Sequence, residues 1–279
     1  MKYGINVPNF GDYGEPRVIA ELARDAEAAG WDGFFIWDHM TGGEWTRMPM
    51  TDPWITLAAA AMTTERIRLG PMVTPVARRR PWKLARETVA LDRLSNGRLI
   101  LGVGLGFPPD GEFSNFGEDA DDRVRAAKLD EGLDVLTRLW SGERVDFDGS
   151  HLHVHTDGFH PAPIQTSRIP VWVAGMTPAR APLRRAARWD GVFPINGPDG
   201  APMSPGMLRE TVAYVKKHRT SDQPFDVVIG GETSADPGQV ANVVAPFEDA
   251  GTTWWMEGIN GWRGTLDENR ARIRSGPPR

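Results

Sequence analysis

Short runs rich in β-branched and aromatic residues alternate with segments of helical period along almost the whole chain, and this alternation restricts the fold more than any other feature. A strand-like run at 3–7 is followed, after Pro16, by Ile19, Leu22, Ala26 and Ala29 at helical spacing until Gly30 stops them. The pattern repeats. GFFIW at 33–37 leads to a helix around 54–62, and IRLGPMV at 67–73 leads to a helix opening at Pro81 and stopping at Asn96-Gly97. RLILGVGLG at 98–106 precedes a helix marked by Leu129, Leu133, Leu136, Leu139 and Trp140. Further strands at 170–175, 191–195, 226–230 and 252–258 are each followed by helical spacing, near 183–188, 208–218, 240–247 and 266–273. Eight such pairs in 279 residues predict an α/β fold, a (β/α)8 TIM barrel, whose usual length is about 250 residues. An open doubly wound sheet is the competitor. A single domain over 1–279 is expected, with an irregular insertion and short β excursion at about 141–168 and a frayed tail at SGPPR.

Composition narrows the partners. With 32 basic against 37 acidic residues the formal charge is −5 and no long basic run occurs, so neither nucleic acid nor an anionic membrane is an expected partner. Zero cysteines exclude disulfides, thiolate nucleophiles and Cys-ligated metals. The first residues, MKYGINVPNFGDYG, lack the apolar core of a signal peptide, and no later run is long enough to span a bilayer, so a cytoplasmic location is expected.

In a closed barrel the chemistry sits at the C-terminal ends of the strands. Asp38 and His39 end the second strand, where an imidazole can transfer a proton or hydrogen-bond a ligand edge, or simply cap a loop. Gly102, Gly104 and Gly106 clear one face of the fourth strand. They do not form a dinucleotide fingerprint, since Pro109 replaces the third glycine and no helix follows directly. At the fifth strand end, Gly175, Met176 and Thr177 precede Pro178, so the next helix begins either there, with Thr177 as cap and free amides for an anion, or at Pro182. Arg78, Arg79 and Arg80 form either an acid-binding trio or a solvated loop. His151, His153 and His155 alternate as zinc ligands would, without HExxH or a nearby carboxylate ladder, and no metal site is assigned.

The segments GFFIWDH, DPWITLAAAAMTTERIRLGPMVTPVARRRP, LARETVALDRLSNGRLILGVGLG, LDEGLDVLTRLWSG and PVWVAGMTPARAPLRRAARWDGVFP together resemble the luciferase-like flavin-dependent oxidoreductases, from about Lys2 to Gly261. These are (β/α)8 barrels that use FMN or the deazaflavin coenzyme F420. The resemblance implies that His39 is the catalytic imidazole facing the reactive ring. It implies that Val73 and Thr74 back that ring through a bulge or a non-proline cis peptide, that Gly104 and Gly106 let the cofactor lie along the mouth, and that Gly175, Met176 and Thr177 bind its phosphate. Asn6, Asp38, Asn196 and Glu257, at other strand ends, are pocket candidates. Sugar-phosphate dehydrogenases of the deazaflavin branch carry a glutamate directly after the strand-four glycines, where this chain has Phe107. That exchange, with Trp37, Trp45 and Trp255, points to a small apolar or planar substrate.

The implied reaction is hydride transfer between reduced F420 and that substrate, with a homodimer expected as in relatives. An FMN-dependent monooxygenase is the alternative within the family. A metal-dependent barrel hydrolase built on Asp38, His39 and the alternating histidines, or a non-catalytic flavin-binding protein, are the alternatives outside it.

Overall fold

A computed structural model describes residues 1–41, 47–197, 202–234 and 237–278. Its centre is a ring of parallel strands: β1 (Lys2–Val7), β2 (Gly33–Ile36), β3 (Arg68–Pro71) with β4 (Thr74–Pro75), and β5 (Leu101–Gly104). After a hairpin of β6 (Val145–Asp148) and β7 (His153–Thr156), it continues with β8 (Val171–Met176), β9 (Gly191–Ile195), β10 (Asp226–Gly231) and β11 (Trp254–Gly258). β3 and β4 are halves of one stave, parted at Met72 and Val73, whose peptide bond is cis. The hydrogen-bonded order is β3-β2-β1-β11-β10-β9-β8-β5-β4. A parallel bridge between Leu69 and Leu99 then joins β3 to the lead-in of β5. Leu69 N donates to Arg98 O at 3.2 Å and Ile100 N to Leu69 O at 2.9 Å, which closes the barrel.

Parallel strands buried on both faces need nearly continuous apolar sequence, and the two faces serve two cores. Ile5, Val7, Phe34, Ile36, Leu101 and Val103 point outward into the layer shared with the helices. Phe35, Met72, Ile100, Trp172, Val228, Trp254 and Met256 fill the interior. Rings of that size fit only because neighbours are glycine. A Cβ on Gly33 would lie 2.5 Å from the Phe35 ring, and one on Gly191 2.4 Å from Trp172.

The outer layer is α1 (Pro16–Ala28), α2 (Pro53–Met62), α3 (Pro81–Leu94), a one-turn α4 (Pro109–Glu112), α5 (Asp122–Trp140), α6 (Arg180–Ala186), α7 (Pro205–His218), α8 (Pro237–Asp249) and α9 (Leu266–Arg274). Proline opens α1, α2, α3 and α7, where its missing N–H costs nothing. The side chains of Asp52, Asp121, Ser204 and Thr265 cap α2, α5, α7 and α9. After α3, Asn96 (φ 54°) and Gly97 (φ 78°) take the left-handed conformation that ends the helix.

Two expectations need correction. The helix after β8 starts at neither proline: Thr177–Pro178 is a cis peptide, α6 begins at Arg180, and Pro182 sits in its first turn, where no intrahelical N–H is needed. The terminal segment is not frayed as far as Pro278, which is buried. Arg272 Nη1 donates to Gly276 O at 2.8 Å, folding the segment back. The irregular excursion is the antiparallel β6–β7 hairpin, with Val145 opposite Thr156.

Candidate active site

Side chains alternate inward and outward along a barrel strand, so the residue two places beyond each interior aromatic or aliphatic also faces the axis, one layer nearer the mouth. Beyond Trp172 that residue is Ala174, beyond Val228 it is Gly230, beyond Met256 it is Gly258, and four places beyond Ile100 it is Gly104. A floor of packed rings thus carries a wide rim of small residues. Asn6 shares this level on β1, opposite Gly258 in register, and its buried Oδ1 has no hydrogen-bond partner among the described residues. Val73 lies against Gly104: a Cβ there would meet Val73 Cγ2 at 2.8 Å. The space cleared by Gly104 is therefore filled by Val73, and that cleared by Gly106 (φ 88°) by Phe113 and Pro75. The small size expected to bed a cofactor directly is used here for packing, since it seats Val73, Phe113 and Pro75.

His39 stands just past the end of β2, in phase with Phe35 and Trp37. Its ring lies 5.9 Å from Trp37 and 6.1 Å from Phe10, and Trp37 stacks on Trp262 at 6.2 Å. His39 Nδ1 contacts Glu112 Oε1 at 3.0 Å. Glu112 comes from the single turn of α4, and its side chain is 0% exposed. The backbone N–H of Met40 donates to both of its oxygens at 3.1 and 3.3 Å, and Arg78 Nε ion-pairs with Oε2 at 3.0 Å. The sequence pattern pointed to the residue directly after the glycines, Phe107, which is 55% exposed. The carboxylate at the imidazole instead arrives from the same loop, five residues later. An acid in the loop that leaves the glycine-rich strand is the signal that could have found it.

Asp38 does not line the pocket. It faces the opposite way from His39, is buried, and accepts from Arg78 Nη2 at 2.7 Å, from Arg79 Nη2 at 2.8 Å and from Thr74 Oγ1 at 2.7 Å. Burial pushes its carboxyl upward, but the Arg79 and Arg78 guanidiniums override that effect and hold it below the ordinary carboxylate range. The hydroxyl of Thr74 is thereby committed to Asp38 rather than to a ligand. Arg78 and Arg79 are likewise internal, with side chains 4% and 14% exposed, so only Arg80 of the trio is solvated, near Trp82.

Two other pocket candidates belong to the outer layer. Trp255 and Glu257 alternate with the interior Trp254 and Met256, and Trp255 packs on Phe247. Glu257 accepts from Thr233 N at 2.8 Å and Trp255 Nε1 at 3.0 Å and pairs with Arg263 at 2.6 Å, a strut tying β11 to the loops that leave β10 and β11. Asn196 donates to Pro202 O at 3.3 Å. Trp45 lies outside the described residues. At the β8 end, the amide of Thr177 donates to Ile195 O at 2.8 Å and cannot serve an anion. A Cβ on Gly175 would be 2.2 Å from Pro182 Cβ, so its smallness admits α6. Gly175 and Met176 remain half-buried, with the first-turn amides of Arg180 and Ala181 beside them in sequence.

The histidines 153 and 155 are exposed on the hairpin, where Asp146, Asp148 and His155 gather within 4.8 Å of one another. The hydrogen bond that His155 Nδ1 donates to the Asp146 carboxylate holds the imidazole above its ordinary range. Asp38, with its oxygens filled by arginine and threonine, has no part in that cluster. A hydrolase centre joining Asp38 to the alternating histidines is therefore not assembled.

The chain matches the sequence model of the luciferase-like monooxygenases over residues 1–271. It is 30% identical over 231 residues to an F420-dependent glucose-6-phosphate dehydrogenase of Gordonia bronchialis, covering 80% of this chain and 66% of that one. It is 31% identical over 239 residues to the enzyme of the same name from Beutenbergia cavernae, covering 80% and 65%. The chain thus spans about two thirds of the length of these curated relatives. Among solved structures, an F420-dependent secondary alcohol dehydrogenase in complex with an F420-acetone adduct superposes with a TM-score of 0.80 at 17% identity, covering 99% and 98% of the two chains. The monooxygenase RslO1 of Streptomyces bottropensis superposes with a TM-score of 0.78 at 22% identity, covering 98% and 97%. With the match running nearly the full length and the barrel the same, this chain belongs to the luciferase-like monooxygenase family.

Proposed function

We propose that the protein is an F420-dependent oxidoreductase that moves a hydride between the deazaflavin and a small apolar or planar organic molecule. The observation that carries this reading is the imidazole of His39, held by a buried carboxylate beside a mouth whose upper layer is Ala174, Gly230 and Gly258. That layer fits a flat tricyclic ring: it offers backbone surface over a rigid floor, with the Oδ1 of Asn6, unpartnered among the described residues, as an acceptor. Val73, Asn6 and the β8 end, with the start of α6, would hold the coenzyme. When bound, a deazaflavin supplies a ring carbon that gives or takes a hydride.

The chain's own contribution is positional and protonic. Phe10, Trp37 and Trp262 wall one side of the mouth with aromatic surface that excludes water and favours an apolar substrate. His39 holds or releases the proton that accompanies hydride transfer. The names of the relatives suggest glucose 6-phosphate, but the basic groups nearest the site, Arg78 and Arg79, are already neutralised by Asp38 and Glu112. This supports an uncharged substrate.

The test is titration of the purified protein with F420 and with FMN, each in both redox states, followed by fluorescence and absorbance. Turnover is then measured on glucose 6-phosphate and on a panel of planar enones and ketones. F420 binding with turnover of the uncharged panel is expected. Binding of FMN alone, or faster turnover of glucose 6-phosphate than of any uncharged compound, defeats the proposal.

A further inference from the structure

We propose that Glu112 is the positioning residue of this site: its buried carboxylate, ion-paired with Arg78, accepts the Nδ1 hydrogen of His39 and so fixes which ring nitrogen carries the exchangeable proton. The inference rests on His39 being the site's imidazole. A carboxylate accepts and does not donate, so an Nδ1 that lies 3.0 Å from Glu112 Oε1 must be the N–H of the ring. The neutral imidazole then has its lone pair on Nε2, opposite to the Nε2–H form usually preferred by a free histidine side chain.

Glu112 can play this part because described residues hold its carboxylate in place. The N–H of Met40 fixes the plane of the carboxylate from the same strand end that carries His39. Arg78 approaches from the far side at 3.0 Å, and its other nitrogen is tied to Asp38 at 2.7 Å. Thr41 Oγ1 donates to Gly111 O at 2.7 Å and ties the α4 turn to the residue two places after His39. Charged groups facing the His39–Glu112 pair from the described residues include Arg78 and, behind it, Asp38 and Arg79.

This assignment makes a prediction that mere packing does not. In Glu112→Gln the shape is kept. Arg78 claims the one remaining acceptor oxygen, the amide NH2 faces His39, and Nδ1 must become an acceptor, which moves the ring hydrogen to Nε2. Nitrogen NMR of protein labelled in the histidine rings reads the tautomer directly, with His39 assigned by its loss in His39→Gln. The wild type is expected to show a protonated Nδ1 and a bare Nε2 in the neutral ring. Glu112→Gln is expected to show the reverse, with F420 affinity within about threefold of wild type and kcat lower by at least about tenfold, the range of a misplaced general acid or base.

A wild-type ring protonated on Nε2, or a Glu112→Gln protein whose tautomer and kcat match wild type, overturns the inference. The measurement on wild type needs no variant to fold. If F420 and FMN both fail to bind while the ring shows the expected tautomer, the proposed function falls and the hold of Glu112 on His39 stands. If F420 binds and turns over while the tautomer is the opposite one, the inference alone falls.

Discussion

Two adjacent residues of one loop do opposite work. Asp38 turns away from the barrel axis into a pair of arginines, while His39 turns toward the mouth, and the two are separated only by the alternation of an extended backbone. Removing one arginine leaves a buried carboxylate undercompensated, which typically costs about 3–5 kcal/mol. Arg79→Ala is accordingly expected to lower the urea midpoint sharply at neutral pH. The acid limb has a definite sign. The folded carboxyl of Asp38 lies below its unfolded value, so its contribution is complete above about pH 4 and is lost as pH falls through the depressed folded value. In Arg79→Ala that loss begins at higher pH, which urea denaturation between about pH 2 and 6 reads. Equal acid limbs for variant and wild type would show that Asp38 does not depend on Arg79.

At the scale of elements, the ends of the strands are shaped by what packs behind them. Gly175 ends β8 where Pro182 of α6 presses in, and an added methyl would lie 2.2 Å from Pro182 Cβ. Gly175→Ala is expected to cost about 1–3 kcal/mol, the usual penalty of overpacking, and to move α6, which chemical denaturation and amide exchange of residues 180–186 would register. The cap of α2 is a smaller and separable case. Asp52 accepts from the amides of Trp54 and Ile55 at 2.9 and 3.0 Å, so Asp52→Ala is expected to cost about 1 kcal/mol with cofactor binding intact. A loss of binding equal to the loss of stability would show instead that α2 supports the mouth.

For the whole molecule the decisive place is the seam. β3 meets the lead-in of β5 at Leu69 and Leu99, and the backbone can approach there because residue 70 has no side chain. A Cβ on Gly70 would stand 1.8 Å from the carbonyl oxygen of Ile100. No rotamer relieves a clash between a Cβ and the backbone, so Gly70→Val is expected to prevent closure, giving an insoluble or unfolded product by circular dichroism. A soluble variant of native melting temperature would mean that the ring does not depend on this contact. The first βα unit meets the last through the pairing of β1 with β11, and side chains reinforce that join: Trp31 Nε1 donates to Ile273 O at 2.8 Å, and Asn269 donates to the Tyr13 hydroxyl at 2.9 Å.

How much of this was legible beforehand differs by scale. The eight-fold alternation, the stop at Asn96-Gly97 and the place of His39 at a strand end follow from periodicity and turn chemistry, which are local and survive in any environment. The facing of Trp255 and Glu257 was misjudged because a strand buried on both sides is apolar on both, so sequence offers no phase with which to tell the axis from the helix layer. Gly104 and Gly175 signal close approach, but whether a ligand, a valine or a proline makes it is decided by partners distant in the chain. Arg78 and Arg79 look like a solvated loop until Asp38 and Glu112 are brought around them.

By itself, then, the sequence determined the eight-fold alternation and the residue type waiting at each strand end, since these depend on spacing along the chain, but not the one-turn α4 that opens at Pro109. Only the tertiary structure decided which acid meets the imidazole, because Glu112 and His39 are 73 residues apart, and their encounter is fixed by the closure of the ring and the turn of α4.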